Sequence, residues 1–365
     1  MKGFEYFIGP QHLGIPGNFG IIVNVDGDTI VKARANPGYL HRAFEKLMER
    51  RLYLSNVSVV CRICVFDPDP QEAAYCMAVE EIAKIEVPER AKWIRTMILE
   101  FARISSHLIY LGSLTSALGL YTVMQWALTD RDYILDLLEM ITGGRVYHIF
   151  MQPGGVRRDL PEGFKEKAKK VLDSLKSRLS DYYNLIFDNN IFVHRTRGVG
   201  VLDPEWALSM GVTGPNLRAC GYKIDVRKDD PYLAYPELDF EVPVLEDCDM
   251  YDRAMLRMKE IEQSIRILEQ ILDRIPDGSV WKPVPNPINW EVPKGESFVR
   301  VESARGEVAY YMVSDGEDKP YRVNVRGPSI THGILVLEKV LEGQRLADIS
   351  PIVFSLDVCA PSIDR

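Results

Sequence analysis

Cysteine is scarce in this chain, and the cysteines present fall one short of a complete set. Six occur among 365 residues. Three stand in motifs: Cys61-Arg62-Ile63-Cys64 near the start, and Asp357-Val358-Cys359-Ala360-Pro361-Ser362-Ile363-Asp364-Arg365 at the end. A C-x-x-C followed by D-x-C-x-x-C-x-x-R would offer four thiolates, a soft ligand set suited to nickel and iron. Here the fourth position is Ser362, so three thiolates remain. No second C-x-x-C accompanies the first, which leaves a structural zinc site without half of its ligands. Cys76, Cys220 and Cys248 are scattered, make no disulfide scaffold in a chain this long, and read as small buried hydrophobes.

Other absences narrow the function further. There is no basic excess: 44 Lys and Arg against 52 Asp and Glu give a net charge of −8, which argues against nucleic acid as a partner. Met1-Lys2-Gly3-Phe4 leads into an aromatic stretch without the apolar region of a secretory signal, so a reducing compartment is expected. No internal repeat or low-complexity tract is present. From Ile104 to Thr129 there is no Asp, Glu, Lys or Arg, a run long enough for the ~20 residues of a membrane span. That run carries Ser105, Ser106, His107, Ser113, Thr115, Ser116, Thr122, Gln125 and two glycines, which suits a helix buried in a bundle better than one facing lipid.

What is there predicts an α+β chain: a mostly helical bundle core with small β-rich pieces at the N- and C-termini. Residues 1–36 form the first piece, with alternating Phe4, Tyr6, Ile8, then Gly20–Val25 and Thr29–Val31 about an Asp26-Gly27-Asp28 turn. Gly9–Asn18 between them is too rich in Gly and Pro for regular structure and reads as a flexible loop. Residues 37–280 form the bundle. Leu40, Phe44, Leu47 and Met48 recur at helical spacing from Asn36-Pro37, and further helices are expected over Pro70–Ile85, from Pro88 through Leu99, over Asp130–Ile141, and over 161–187 and 249–274. Residues 281–365 form a C-terminal β-rich segment that returns the terminus to the site, with strands at Phe298–Glu302, Glu307–Val313, Tyr321–Val325 and Ile352–Ser355 and a short helix near Ile330–Glu342.

Several side chains stand where chemistry is plausible. Asp67-Pro68-Asp69-Pro70 places the C-x-x-C on a loop entering a helix. His12 sits in a Gly-Pro loop of the kind that binds ligands, with a surface histidine as the plain alternative. Arg305 precedes Gly306 at a strand end, where the backbone approaches something closely or a salt bridge closes the strand. Arg365 brings a guanidinium and a carboxylate, and the apolar stretch before it suggests an end tucked inward.

These pieces occur in order with Gly9-Pro10-Gln11-His12, Gly38-Tyr39-Leu40-His41-Arg42-x-x-Glu45-Lys46, Ala78-Val79-Glu80, Val87-Pro88-Glu89-Arg90-Ala91, Pro153-Gly154-Gly155-Val156, Arg197-Gly198-Val199-Gly200, Glu302-Ser303-Ala304-Arg305-Gly306-Glu307, Val313-Ser314-Asp315-Gly316, Pro320-Tyr321-Arg322 and Arg326-x-Pro328-Ser329. Together they resemble the large subunit shared by group 4 membrane-bound nickel–iron hydrogenases and respiratory complex I, where it is the 49 kDa protein. In the hydrogenase branch the metal ligands match Cys61, Cys64 and Cys359, but the fourth falls on Ser362, and Ser58, Arg62 and Pro68 replace an expected Glu, Gly and His. In the quinone branch the head-group partners, a His and a Tyr, match Pro16 and Val65, neither of which offers a side-chain donor or acceptor. The sequence is most similar to a third branch, the archaeal Mbx/MBS complexes.

That resemblance implies a peripheral large subunit at the cytoplasmic face of the membrane, in a complex that passes ferredoxin electrons to sulfane sulfur and translocates ions. The reacting electrons would come from a [4Fe-4S] cluster of an adjacent small iron–sulfur protein, similar to the B-type component of complex I. A 30 kDa C-like protein and a membrane-embedded H-like protein would complete the surroundings. This chain alone is expected to bind no metal and to hold no Ni–Fe centre. Cys61, Cys64, Cys359 and Arg305 become the candidate catalytic residues, expected to converge in one cavity, with His12, Pro16, Val65, Ser362, Asp357 and Arg365 around them. A complex I-like quinone reductase with an altered site and a non-catalytic coupling subunit are the alternatives.

Overall fold

In the computed structural model, residues 3–287 and 289–365 are described; Met1, Lys2 and Ile288 lie outside the described residues. The alternation near the start becomes an antiparallel sheet in the order β1 (Phe4–Ile8), β2 (Gly20–Asp26) and β3 (Thr29–Asn36). Ile21, Val23 and Val25 of the central strand and Ile30 and Ala33 of β3 are buried. Gly27 supplies the positive φ (64°) that the two-residue turn requires.

The helix expected from residue 37 is instead two short ones, α1 (Phe44–Met48) and α2 (Tyr53–Val60). Residues 37–43 stay irregular for a specific reason. The Asp364 carboxylate accepts the N–H groups of Gly38 and Leu40, each at 2.8 Å, so the last turn of the chain takes the donors a helix would use. Next come α3 (Asp69–Ala83), α4 (Glu89–Ala117) and α5 (Tyr121–Thr142). The uncharged run is therefore divided between two helices. Gly119, at φ 88°, turns the chain, and the N–H groups of Gly119 and Leu120 close on the carbonyls of Ser116 and Thr115. The two helices pack against each other where Gly112 leaves room: a Cβ there would lie 2.7 Å from Met124 Sδ. Gly143, at φ 85°, ends α5.

A two-stranded β4 (Met151–Gln152) and β5 (Gly155–Val156) precedes α6 (Phe164–Tyr182), which runs into a π-helical turn, Tyr183–Phe187. Four short helices follow, α7 (Asn190–Thr196), α8 (Pro204–Ser209), α9 (Pro215–Arg218) and α10 (Val226–Asp229), and then α11 (Met250–Arg274), capped where the Asp249 side chain accepts the Asp252 N–H at 2.8 Å. A second antiparallel sheet, β6 (Gly295–Ser303), β7 (Gly306–Ser314) and β8 (Arg322–Arg326), completes the strands. Beyond it the rest of the expected C-terminal β-rich segment is helical: the short helix expected near Ile330–Glu342 is α12 (Pro328–Ile330), the π-helical Thr331–Val336 and α13 (Leu337–Leu341), and α14 (Ile349–Ser355) and α15 (Ala360–Asp364) follow it. Ile352–Ser355, read as a strand, belongs to α14. Ile349, Ile352, Val353 and Leu356 are all buried and fall at helical intervals, and a four-residue apolar run cannot reveal that period by itself.

The apolar interior has two parts. One joins α1–α6, α11 and the β6–β8 sheet; the other joins β2 and β3 to the segments around α8, α9, α13, α14 and α15. In the second part Cys220 and Cys248 form a disulfide with Cα atoms 4.3 Å apart, which corrects the reading of both as free thiols. Cys248 N–H also donates to the Ala219 carbonyl, so the two loops are already joined at the backbone. Among the described residues, no helix is long and apolar enough to cross a membrane.

Candidate functional site

Three segments meet at one place: the β6–β7 turn, the loop between α2 and α3, and the end of the chain. Arg103 of α4 fixes the turn by donating to the Glu302 and Ser303 carbonyls at 2.6 and 3.0 Å, and Asp67 accepts the Ala304 N–H at 2.8 Å. Gly306 makes the approach possible, as a Cβ there would sit 2.7 Å from Thr213 Oγ1. A network of buried charges lies behind the turn: Glu260 of α11 accepts Arg218 at 2.6 Å and His107 at 2.9 Å, and Arg218 donates to Glu302 at 2.8 Å. Burial of so many charges is sustained only by such pairing.

The turn projects Arg305 inward. Its guanidinium donates to Asp357 Oδ1 at 2.8 Å and to Ser106 Oγ at 2.9 Å, and lies 3.9 Å from Cys64 Sγ and 5.6 Å from the centre of the Phe66 ring. Both readings of Arg305 therefore hold together: a close backbone approach and an ion pair. Asp357 adopts φ 54°, a left-handed conformation rare outside glycine, and its Oδ2 is 3.8 Å from Arg257.

Two small cavities open on this cluster and share Pro16, Phe66 and Val358 as a common wall. The smaller, 140 Å³, also meets Ile109, Tyr110, Ser113, Arg305, Phe354 and Asp357. The larger, 310 Å³, meets Asn18, Leu40, Arg42, Val65, Cys359 and Pro361. The first loop forms part of the wall because it is seated on the end of the chain: Ile15 is buried, and a Cβ on Gly17 would touch Ala360 Cβ at 3.3 Å.

The structure thus brings together Cys64, Cys359, Arg305, Asp357, Pro16 and Val65. Cys61 lines neither cavity; it caps the end of α2 and turns back along that helix, where its thiol donates to the Ser58 carbonyl at 3.4 Å and is met by Arg62 at 3.3 Å. Ser362 is buried against Gly327, where a Cβ would approach its Oγ to 2.6 Å. Arg365 donates to Glu45 at 3.2 Å, away from the thiols. His12 is exposed and accepts the Gly14 N–H at 3.1 Å. Phe66, Asp67, Ser106, Tyr110 and Val358 were missed by sequence reasoning, since nothing in a lone apolar or hydroxyl residue marks it as a wall. Only Asp67, in its Asp-Pro-Asp-Pro setting, carried a visible signal.

The charge states differ across the site. Cys359 is pulled down to about 6 by the hydrogen bond it receives from Cys64, against the effect of burial, with Arg305 and the N–H groups of Val65 and Ser362 adding to it. Cys64, the donor of that bond and buried, is pushed well above the ordinary thiol value. Burial raises Cys61 to about 12 and Asp67 to about 6. One sulfur is therefore held as an anion beside a neutral thiol and a guanidinium. For a nickel–iron centre the donor set does not fit. Cys61 faces its own helix, Ser362 supplies no thiolate, and no group of three or more His, Cys, Asp or Glu among the described residues is arranged to hold a metal ion.

The profile of the family described as the respiratory-chain NADH dehydrogenase 49 kDa subunit matches residues 117–288 and 287–365. The D-type subunit of NADH-quinone oxidoreductase from Thermosipho melanesiensis is 50% identical over 100% of both chains. The D-type subunit of the F(420)H(2) dehydrogenase from Methanosarcina mazei is 42% identical over 98% of this chain and 96% of its own. A solved chain of the membrane-bound sulfane sulfur reductase, an archaeal respiratory membrane complex, superposes with a TM-score of 0.97 at 50% identity, covering 100% of this chain and 99% of that one.

Proposed function

This chain belongs to the family of the 49 kDa subunit of respiratory-chain NADH dehydrogenase, and from that membership we propose that it forms the substrate cavity of a membrane-bound complex reducing sulfane sulfur. The chain is the D-type subunit of a complex I-like oxidoreductase; the acceptor is the point at issue. The observation that carries the proposal is the cavity wall. Pro16 and Val65 line it at the two positions where the family resemblance puts the quinone's hydrogen-bonding partners. Tyr110, the phenol within reach, is already engaged with the Ser355 carbonyl at 3.1 Å. What remains are two small, adjoining, largely apolar cavities, one lined by Cys359 and the other by Arg305, which suit a polarisable, uncharged sulfur chain. The likeness to the sulfane sulfur reductase chain supports the same reading.

In this reading electrons originate from ferredoxin and arrive through a [4Fe-4S] cluster of a small B-like iron–sulfur partner packed beside the cavity. A 30 kDa C-like partner and a membrane-embedded H-like partner hold the chain at the cytoplasmic face of the membrane. Arg305 orients the substrate and stabilises the persulfide or thiolate anion released on S–S cleavage. The test is turnover of the purified complex, under a low-potential electron donor, with a dialkyl trisulfide, a quinone and protons as alternative acceptors. Trisulfide reduction well above the other two is expected. Quinone reduction at the higher rate would overturn the proposal and favour a complex I-like reductase with altered head-group binding.

A further inference from the structure

Arg42 stands on the irregular segment 37–43, which the end of the chain holds in place. Asp364 accepts the N–H groups of Gly38 and Leu40, its carbonyl meets His41 Nδ1 at 2.5 Å, and Ala43, at φ 53°, turns the chain into α1. The guanidinium is fixed in turn. Its Nη2 donates to the Arg62 carbonyl at 2.9 Å, and it lies 4.4 Å from the centre of the buried Phe44 ring. Neither contact neutralises it, and among the described residues no carboxylate pairs with Arg42. Glu45, three residues on, is already taken by the Val325 N–H at 2.8 Å, by Arg365 at 3.2 Å and by Arg322 at 3.5 Å. The neighbouring Arg62 is in the same condition: its guanidinium meets the Ser58 carbonyl, Cys61 Sγ and the Tyr147 ring. Arg42 is exposed, yet it lines the 310 Å³ cavity, so it stands at the opening. It is the only charged side chain in that wall, which is otherwise apolar apart from Asn18 and Cys359.

We infer that Arg42 receives an anionic end group of the acceptor, so that the substrate class is a sulfane sulfur chain ending in a carboxylate or a terminal sulfide. The inference rests on the proposed acceptor for the sulfur chain, and on Arg42 for the charge. An apolar cavity rejects an ionised group but accepts uncharged sulfur atoms, so a molecule carrying both is sorted by the wall. Its charge stays at the partly solvated opening, and its sulfurs run inward past Leu40, Val65 and Phe66 toward Cys359. The guanidinium has five N–H donors and a single hydrogen bond draws on them, which leaves donors for a charge-assisted contact with oxygen or sulfur. Arg42 is thus a specificity-determining residue.

The test measures kcat/KM of the intact complex, under a low-potential electron donor, with dimethyl trisulfide, bis(2-carboxyethyl) trisulfide and inorganic tetrasulfide. The unaltered complex should prefer an anionic acceptor to dimethyl trisulfide by about tenfold, the worth of one hydrogen bond to a charged group, and the preference should shrink as salt rises. In Arg42→Gln the ratio of anionic to neutral kcat/KM should fall toward one, and Arg42→Lys should restore part of it. Whether carboxylate or tetrasulfide loses more identifies the end group that Arg42 receives. A purely structural role, or pairing with a neighbouring subunit, would lower all three acceptors together and leave the ratio unmoved, which would overturn the inference. So would an unaltered complex that reduces trisulfides with no preference for charge, and that result leaves the proposed acceptor standing. Binding is read apart from turnover: 3,3′-thiodipropionate, which cannot be reduced, should protect Arg42 from phenylglyoxal where dipropyl sulfide does not, with peptide mass spectrometry as the readout. Protection in a complex that reduces quinone faster than trisulfide would support the anion site and overturn the acceptor.

Discussion

At the scale of single residues, the site depends most on Arg305. Replacing it with Met leaves Asp357 buried, with Arg257 at 3.8 Å as its remaining cation. Removing one partner of a buried pair costs about 3–5 kcal/mol, so Arg305→Met should lower the melting temperature of the subunit within the complex and abolish turnover. His332 gives a separate test through pH. Burial, reinforced by Arg257, Arg326 and Arg253, holds its imidazole down to about 3 from an ordinary 6.5. Between those values the unfolded chain binds the proton and the folded chain does not, so the stability tied to His332 is present above pH 6.5 and is lost as pH falls. His332→Asn should flatten the acid limb of the melting-temperature profile between pH 6.5 and 4 relative to the unaltered protein, which the two profiles measured side by side would show. Cys64, Cys359, Arg305 and Asp357 were legible as residues because each stands in a motif. The orientation of Cys61 was not. Helical side chains lean toward the N-terminus of their helix, and Cys61 caps α2, a helix whose existence the sequence did not announce.

At the scale of elements, the β6–β7 hairpin is the part that aims the chemistry. Gly306 lies at φ 131°, and a Cβ there would come within 2.7 Å of Thr213 Oγ1 and 3.0 Å of the Thr213 carbonyl carbon. Gly306→Ala should therefore cost about 1–3 kcal/mol through a strained backbone and displace Arg305 as well. The expected signature is a loss of turnover larger than the loss of melting temperature would explain, read by comparing the two in one preparation. The long helices and this hairpin were legible because length and alternation repeat over many residues: α11, with Ile261, Ile265, Leu268 and Ile271 buried, is the clearest case. The segments 37–43 and 349–355 were not, for opposite reasons. The first loses its helical donors to Asp364, more than 300 residues away, and the second is too short for its period to show.

At the scale of the whole molecule, the donor set predicts a cavity without nickel, and elemental analysis of active complex should find far less than one nickel per chain. The two-part interior has a further consequence for how the molecule forms. Ile63, next to Cys64, belongs to the first apolar body, while Ile15 beside Pro16 and Val358 and Ala360 on either side of Cys359 belong to the second, and in that body β2 and β3 pack against helices made from the other end of the chain. Ala35 N–H, for example, is accepted by Glu338 at 2.8 Å. Contacts of such sequence separation close late and slowly. The N-terminal sheet must wait, with its apolar face uncovered, until almost the whole chain has left the ribosome, and the cavity assembles after both bodies exist. The binding pocket is thus the last part of the subunit to mature, and a chain stalled shortly before Cys359 would hold a folded bundle with half a reaction chamber.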